Sequence, residues 1–133
     1  MILFCGDPHG NFDHIAWAVC AFQPKAIVLL GDIEAQRPLH FTLDCILRQT
    51  DVWWIPGNHD TDNEENYDNL FGSELSDRNL HGRVIEIDGV RIAGLGGVFR
   101  GQVWRHRVKP RSSPMKILLP VVGKETFGVA GCR

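Results

Sequence analysis

The chain has 133 residues, of which 44% are hydrophobic and 23% charged, with a formal net charge of −2. This length supports one domain with a real core and is too short for two ordinary ones, and the apolar fraction excludes a disordered chain. No apolar run approaches the ~20 residues of a membrane helix, so no membrane association is expected.

The elements read as follows in chain order. Residues 2–5, Ile-Leu-Phe-Cys, form a short apolar run ended by Gly6-Asp7-Pro8, as expected of a buried parallel strand. No basic region precedes it, so a signal peptide is not expected. Residues 11–22 predict a helix with Asn11 as N-cap, Asp13 in its first turn, Ile15, Ala18, Val19 and Phe22 on the apolar face, and Pro24 as the stop. Residues 26–30 predict a second buried strand, again ended by Gly-Asp. A second helix is expected over 38–49, with Phe41, Leu43, Ile46 and Leu47 apolar, and a third strand over 51–55, ended by Pro56-Gly57-Asn58-His59-Asp60. This alternation predicts two right-handed βαβ units of a parallel sheet. Residues 61–77 predict a polar loop with a short helix. Residues 84–87 and 90–93 predict a hairpin whose Asp88-Gly89 supplies the positive-φ turn, followed by a glycine-rich exit at 94–97. Beyond Trp104 only 115–119, bracketed by Pro114 and Pro120, could add a strand.

The small net charge hides an asymmetry. Residues 105–133 carry seven basic groups against Glu125 alone, a net of +6, whereas the first 104 carry seven basic and fifteen acidic groups, a net of −8. The four cysteines (Cys5, Cys20, Cys45 and Cys132) form no Cys-x-x-Cys pair and sit in or beside apolar segments. They predict reduced thiols in a cytoplasmic protein.

Each expected strand ends in a cluster that carries chemistry: Gly6-Asp7-Pro8-His9-Gly10, Gly31-Asp32 and Gly57-Asn58-His59-Asp60. In an open parallel sheet the carboxyl ends of the strands share one edge, where ligands bind. Asp7, His9, Asp32, Asn58 and His59 should therefore converge, although 52 residues separate the first from the last. Carboxylates, an imidazole and an amide carbonyl suit Mn, Fe, Zn or Ni, and Asp32 could bridge two ions. A single Gly-Asp after a strand is usually just a turn; three such clusters in this order are not explained by chance.

These three clusters resemble the first motifs of the calcineurin-like metallophosphoesterases, Gly-Asp-x-His-Gly, Gly-Asp and Gly-Asn-His-Asp, over about residues 1–104. The resemblance implies an α/β fold, the metallophosphoesterase-type αββα sandwich, here incomplete as an N-terminal βαβαβ plus hairpin. It implies a phosphoester hydrolase using metal-activated water on a phosphorylated substrate of unassigned class. By position, Asp7 and His9 would bind a first divalent ion, Asp32 would bridge, Asn58 would bind a second, His59 would act as acid, and Asp60 would orient it. Two features depart from the pattern. Arg37 stands five residues after Asp32 and precedes Pro38, where many members have Arg-Gly at four. The later Gly-His-x-His is missing, which leaves three protein ligands for the first ion and two for the second. The expectation is one weakly held ion, Mn foremost, in place of the family's pair. His14 and His40 fall on expected helices, while His81 and His106 are the candidates to replace a missing ligand.

The residues after 104 admit three readings: a shifted or truncated reading frame of a longer phosphoesterase, a short form whose tail supplies a substitute strand, or a basic arm for nucleic acid or an acidic partner. The first leads and the last is disfavoured, because Phe127 is the only aromatic residue available for base stacking. A catalytically inactive binding protein of the same fold, with at most one metal, is the alternative to the hydrolase.

Overall fold

A computed structural model of the chain describes residues 1–97; the basic tail, His106 and residues 115–119 lie outside it. Three parallel strands, β1 (Ile2–Cys5), β2 (Ala26–Leu30) and β3 (Asp51–Ile55), pair in the order β1-β2-β3. Leu3 stands beside Ile27, and Ile27 beside Val52. These bounds are those expected from the apolar runs.

The period-two alternation of the strands distributes their side chains between two layers. Ile27, Leu29, Val52 and Trp54 face one layer and pack with Ile15, Val19, Leu39, Leu43, Ile46 and Leu70 from the helices. Val28 and Ile55 face the other layer, where Leu80, Ile85 and Ile92 cover them. Both faces of β2 are thus covered, which explains why its sequence is uninterruptedly apolar.

Helix α1 (Asp13–Phe22) buries Ile15 and Val19. Phe12, not Asn11, occupies the N-cap position, but the Asn11 side chain still accepts the Asp13 N–H at 3.1 Å. The helix ends as Gln23 turns left-handed, its N–H donating to the Val19 carbonyl, directly before Pro24. Phe22 does not lie on the buried face as expected; it is exposed and meets Trp17 edge-on, ring centres 6.1 Å apart.

The single helix expected over 38–49 is instead two one-turn helices, α2 (Leu39–Thr42) and α3 (Asp44–Leu47). Leu43 breaks them at φ −101°, ψ 12°, and the Thr42 hydroxyl donates to the Arg37 carbonyl, bonding the chain outside the helical ladder. Leu39, Leu43 and Ile46 are all buried nonetheless, so the break preserves the apolar side while Phe41 turns outward. Helix α4 (Glu64–Phe71) is capped by Asn63, whose side chain accepts the Asn66 N–H at 2.8 Å.

The antiparallel pair β4 (Val84–Ile87) and β5 (Val90–Ala93) turns through Asp88 at φ 53° and Gly89 at φ 77°, the two positive values a tight hairpin requires. The glycine-rich exit packs closely. A Cβ on Gly96 would fall 2.6 Å from Pro56 Cδ, and the Gly97 N–H donates to the Pro56 carbonyl at 2.8 Å.

The covered centre of the sheet sets the stability. Leu29, fully buried, should lose about 2–5 kcal/mol when changed to Ala. Exposed Trp17→Ala should stay within about 0.5 kcal/mol of wild type. Urea denaturation of both variants checks the contrast.

Candidate active site

The segments that follow the three parallel strands lie side by side and are tied together by their backbones. The His9 N–H donates to the Asp32 carbonyl and the Gly10 N–H to that of Ile33, each at 3.0 Å. The His59 N–H donates to Asp32 Oδ1 at 3.1 Å. Gly57 fits only because it lacks a side chain: a Cβ there would fall 2.1 Å from Asp32 Oδ1 and 2.3 Å from the Asp32 nitrogen.

Asp7, His9, Asp32 and Glu34 all adopt left-handed backbone, with φ between 44° and 47°. Such geometry is disfavoured for residues with a Cβ and costs of order 1–3 kcal/mol each, so strain is concentrated at this edge.

Asp60 is 1% exposed and its carboxylate holds the second and third segments together. Oδ1 accepts the N–H groups of Ile33 at 2.7 Å and Glu34 at 2.9 Å, and Oδ2 accepts that of Gly57 at 2.8 Å. Burial pushes this carboxyl above the ordinary aspartate range, while the three N–H donors pull it back. The orienting role expected for Asp60 on His59 is therefore corrected. Its oxygens are committed to the backbone, and the ring partner of His59 is Asp62, with Nδ1 to Oδ2 at 2.7 Å. The spacing of three explains the pairing, since His59–Thr61 forms a 3₁₀ turn and residues three apart eclipse there.

His9 and His59 are both exposed, and their rings lie 5.9 Å apart, edge to face. His9 Nδ1 meets Glu34 Oε1 at 2.9 Å. That bond, followed by the charges of Glu34, Asp32 and Asp7, raises the His9 pKa above the ordinary imidazole value. His59 is raised by its bond to Asp62, followed by the charges of Asp32, Asp62 and Glu34. The edge is thus a concentration of negative charge around two imidazoles.

In kind, the donors Asp7, His9, Asp32 and Asn58 suit a divalent cation. The site is open: among the described residues no three His, Cys, Asp or Glu side chains already surround one point. His81 is exposed in the loop before the hairpin, and its Nδ1 accepts the Gly96 N–H at 3.0 Å. His40 likewise accepts the Glu74 N–H through Nδ1, at 3.2 Å, and His14 stands on α1. Arg37 is exposed. Sequence reading missed Glu34 and Asp62; the available signal was a carboxylate two residues beyond Asp32 and another three beyond His59.

Three strand ends carrying Asp-x-His, Asp and Asn-His on one edge of a parallel sheet define the class. The chain belongs to the calcineurin-like phosphoesterase family, whose sequence pattern matches residues 1–118. It is also 47% identical over 110 residues to a protein of Haemophilus influenzae described only as "Uncharacterized protein". That stretch is 83% of this chain and 48% of the relative, so the chain spans about half the length of the curated relative it matches. No solved structure matches. Among the described residues no helix is long and apolar enough to cross a membrane, and Cys5, Cys20 and Cys45 are free thiols.

Asp60 yields a test of the site's framework. Asp60→Asn replaces one acceptor with an amide N–H₂ that opposes a buried backbone donor, which should cost about 1–3 kcal/mol in urea denaturation. Asp77→Asn, an exposed change in the 3₁₀ turn Ser76–Arg78, should leave the midpoint unchanged.

Proposed function

We propose that the chain is a metal-dependent phosphoester hydrolase, or the front part of one, acting on a phosphorylated substrate in the cytoplasm. The observation that supports it most is the convergence of His9 and His59, rings 5.9 Å apart, on an edge lined by Asp7, Asp32 and Glu34.

Asp7, His9, Asp32 and Asn58 would hold the cation, with Mn the first choice and Fe, Zn or Ni as others. Bound there, a divalent ion supplies charge neutralisation of the phosphoryl oxygens and lowers the pKa of water. His59 donates a proton to the leaving-group oxygen, and Asp62, bonded to Nδ1, keeps the imidazolium and its orientation. Asp32 fixes the His59 backbone through its N–H and so sets the distance between cation site and acid. Gly31 and Gly57 let the segments after β2 and β3 approach closely, since a Cβ on either would strike the other segment.

A second reading is favoured by the openness of the site: a binding protein of the same fold with at most one metal and no turnover. Hydrolysis of an aryl phosphate mono- or diester with added Mn²⁺ separates the two. Turnover by wild type that falls about 10²–10⁴-fold in His59→Ala and is lost in Asp7→Asn supports the hydrolase. Unchanged rates in both variants contradict the site assignment, and no turnover with ion binding retained supports the second reading.

A further inference from the structure

Glu34 stands at an unspecified position of the second motif, Gly31-Asp32-Ile33-Glu34, with no role assigned by the resemblance, yet it is one of the most constrained residues of the edge. Its backbone sits at φ 47°, a conformation a glutamate keeps only when its surroundings impose it. Two bonds impose it here. Its N–H donates to Asp60 Oδ1 at 2.9 Å, and its carboxylate reaches across 25 residues of sequence to His9 Nδ1, also at 2.9 Å. His9 is held in turn by its own N–H on the Asp32 carbonyl. Both ends of the pair are thus fixed by backbone bonds independent of the ring.

The pair adds little to the stability of the fold. The two side chains are 51% and 34% exposed, and solvent screens ion pairs of that kind. The strained backbone opposes folding. A strained residue whose carboxylate is bonded to a half-exposed imidazole 25 residues away points to a role in that imidazole's chemistry.

An ionised carboxylate can only accept, so Nδ1 of His9 must carry the hydrogen of this bond, and in the neutral ring Nε2 keeps its lone pair. We propose that Glu34 is a positioning residue: it locks His9 in the Nδ1–H tautomer and presents Nε2 as donor to a divalent cation. Asp60, in the segment after β3, acts on His9 in the segment after β1 by setting the backbone of Glu34 between them. The cation part rests on the reading of His9 as a metal ligand; the tautomer part does not. A histidine whose second nitrogen is bonded to a carboxylate is a more basic and better-oriented ligand.

The test uses Glu34→Gly and Glu34→Gln in the full chain, with three readouts: melting temperature, His9 tautomer by side-chain nitrogen NMR without metal, and Mn²⁺ affinity. Gly tolerates positive φ, so Glu34→Gly should melt no lower than wild type. It should nonetheless lose the Nδ1–H tautomer and bind Mn²⁺ about 10–100-fold more weakly. Glu34→Gln, which keeps an acceptor oxygen, should recover the tautomer and part of the affinity. A His9 tautomer that is the same in wild type and Glu34→Gly overturns the proposal, whatever the metal does. If the tautomer changes as expected and wild type binds no Mn²⁺, the positioning of the ring stands and the metal reading fails.

Discussion

A buried carboxylate receiving three backbone N–H groups is the constraint on which the edge of this molecule depends. Asp60 cannot stay ionised in the interior without partners, and its partners come from two different segments: Ile33 and Glu34 after β2, and Gly57 after β3. Satisfying the charge therefore fixes the separation of the two segments. Once that separation is set, Gly57 must press on Asp32, the Asp32 carboxylate must meet the His59 N–H, and the Glu34 side chain must turn toward His9. One side chain couples three motifs that are far apart in sequence.

The sheet supplies what the strained edge needs. Covered on one face by α1 to α4 and on the other by the β4–β5 hairpin, β2 has four of its five residues fully buried. Trp54 anchors the far side, its indole N–H donating to the Leu75 carbonyl at 2.8 Å and its ring meeting Phe71 edge-on. Left-handed backbone at Asp7, His9, Asp32 and Glu34 can persist because this packed layer and the inter-segment hydrogen bonds over-determine it. Strain, exposed imidazoles and clustered carboxylates at one edge are the physical signature of a site in which function, not packing, chose the residues.

Much of this was legible in the sequence. The three parallel strands and the Asp-Gly hairpin follow from short apolar runs closed by turn residues, and their bounds need no knowledge of the tertiary structure. The convergence of the strand ends follows from parallel topology alone. Other features depend on the packed structure. Leu43 breaks the second helix while Leu39 and Ile46 keep its buried side, so periodicity looks continuous where the backbone is not. Phe22 and Phe41 fit an apolar stripe by spacing and are exposed in the structure, Phe22 beside Trp17 and Phe41 beside His40. The partner of His59 is Asp62 and not the adjacent Asp60 because a 3₁₀ turn brings residues three apart together. Glu34 was invisible because its contact requires a positive φ that no glutamate would be assigned from sequence.

Under the proposed function, Asp7, His9, Asp32 and Asn58 hold one cation at the strand ends. Equilibrium dialysis of wild type and Asp32→Asn against Mn²⁺, with the ions bound per chain counted, tests it most directly. The expected result is an ion retained by wild type and lost, or held at least about 10-fold more weakly, in Asp32→Asn. A wild-type chain that binds no ion, or a variant that binds as well as wild type, would contradict it.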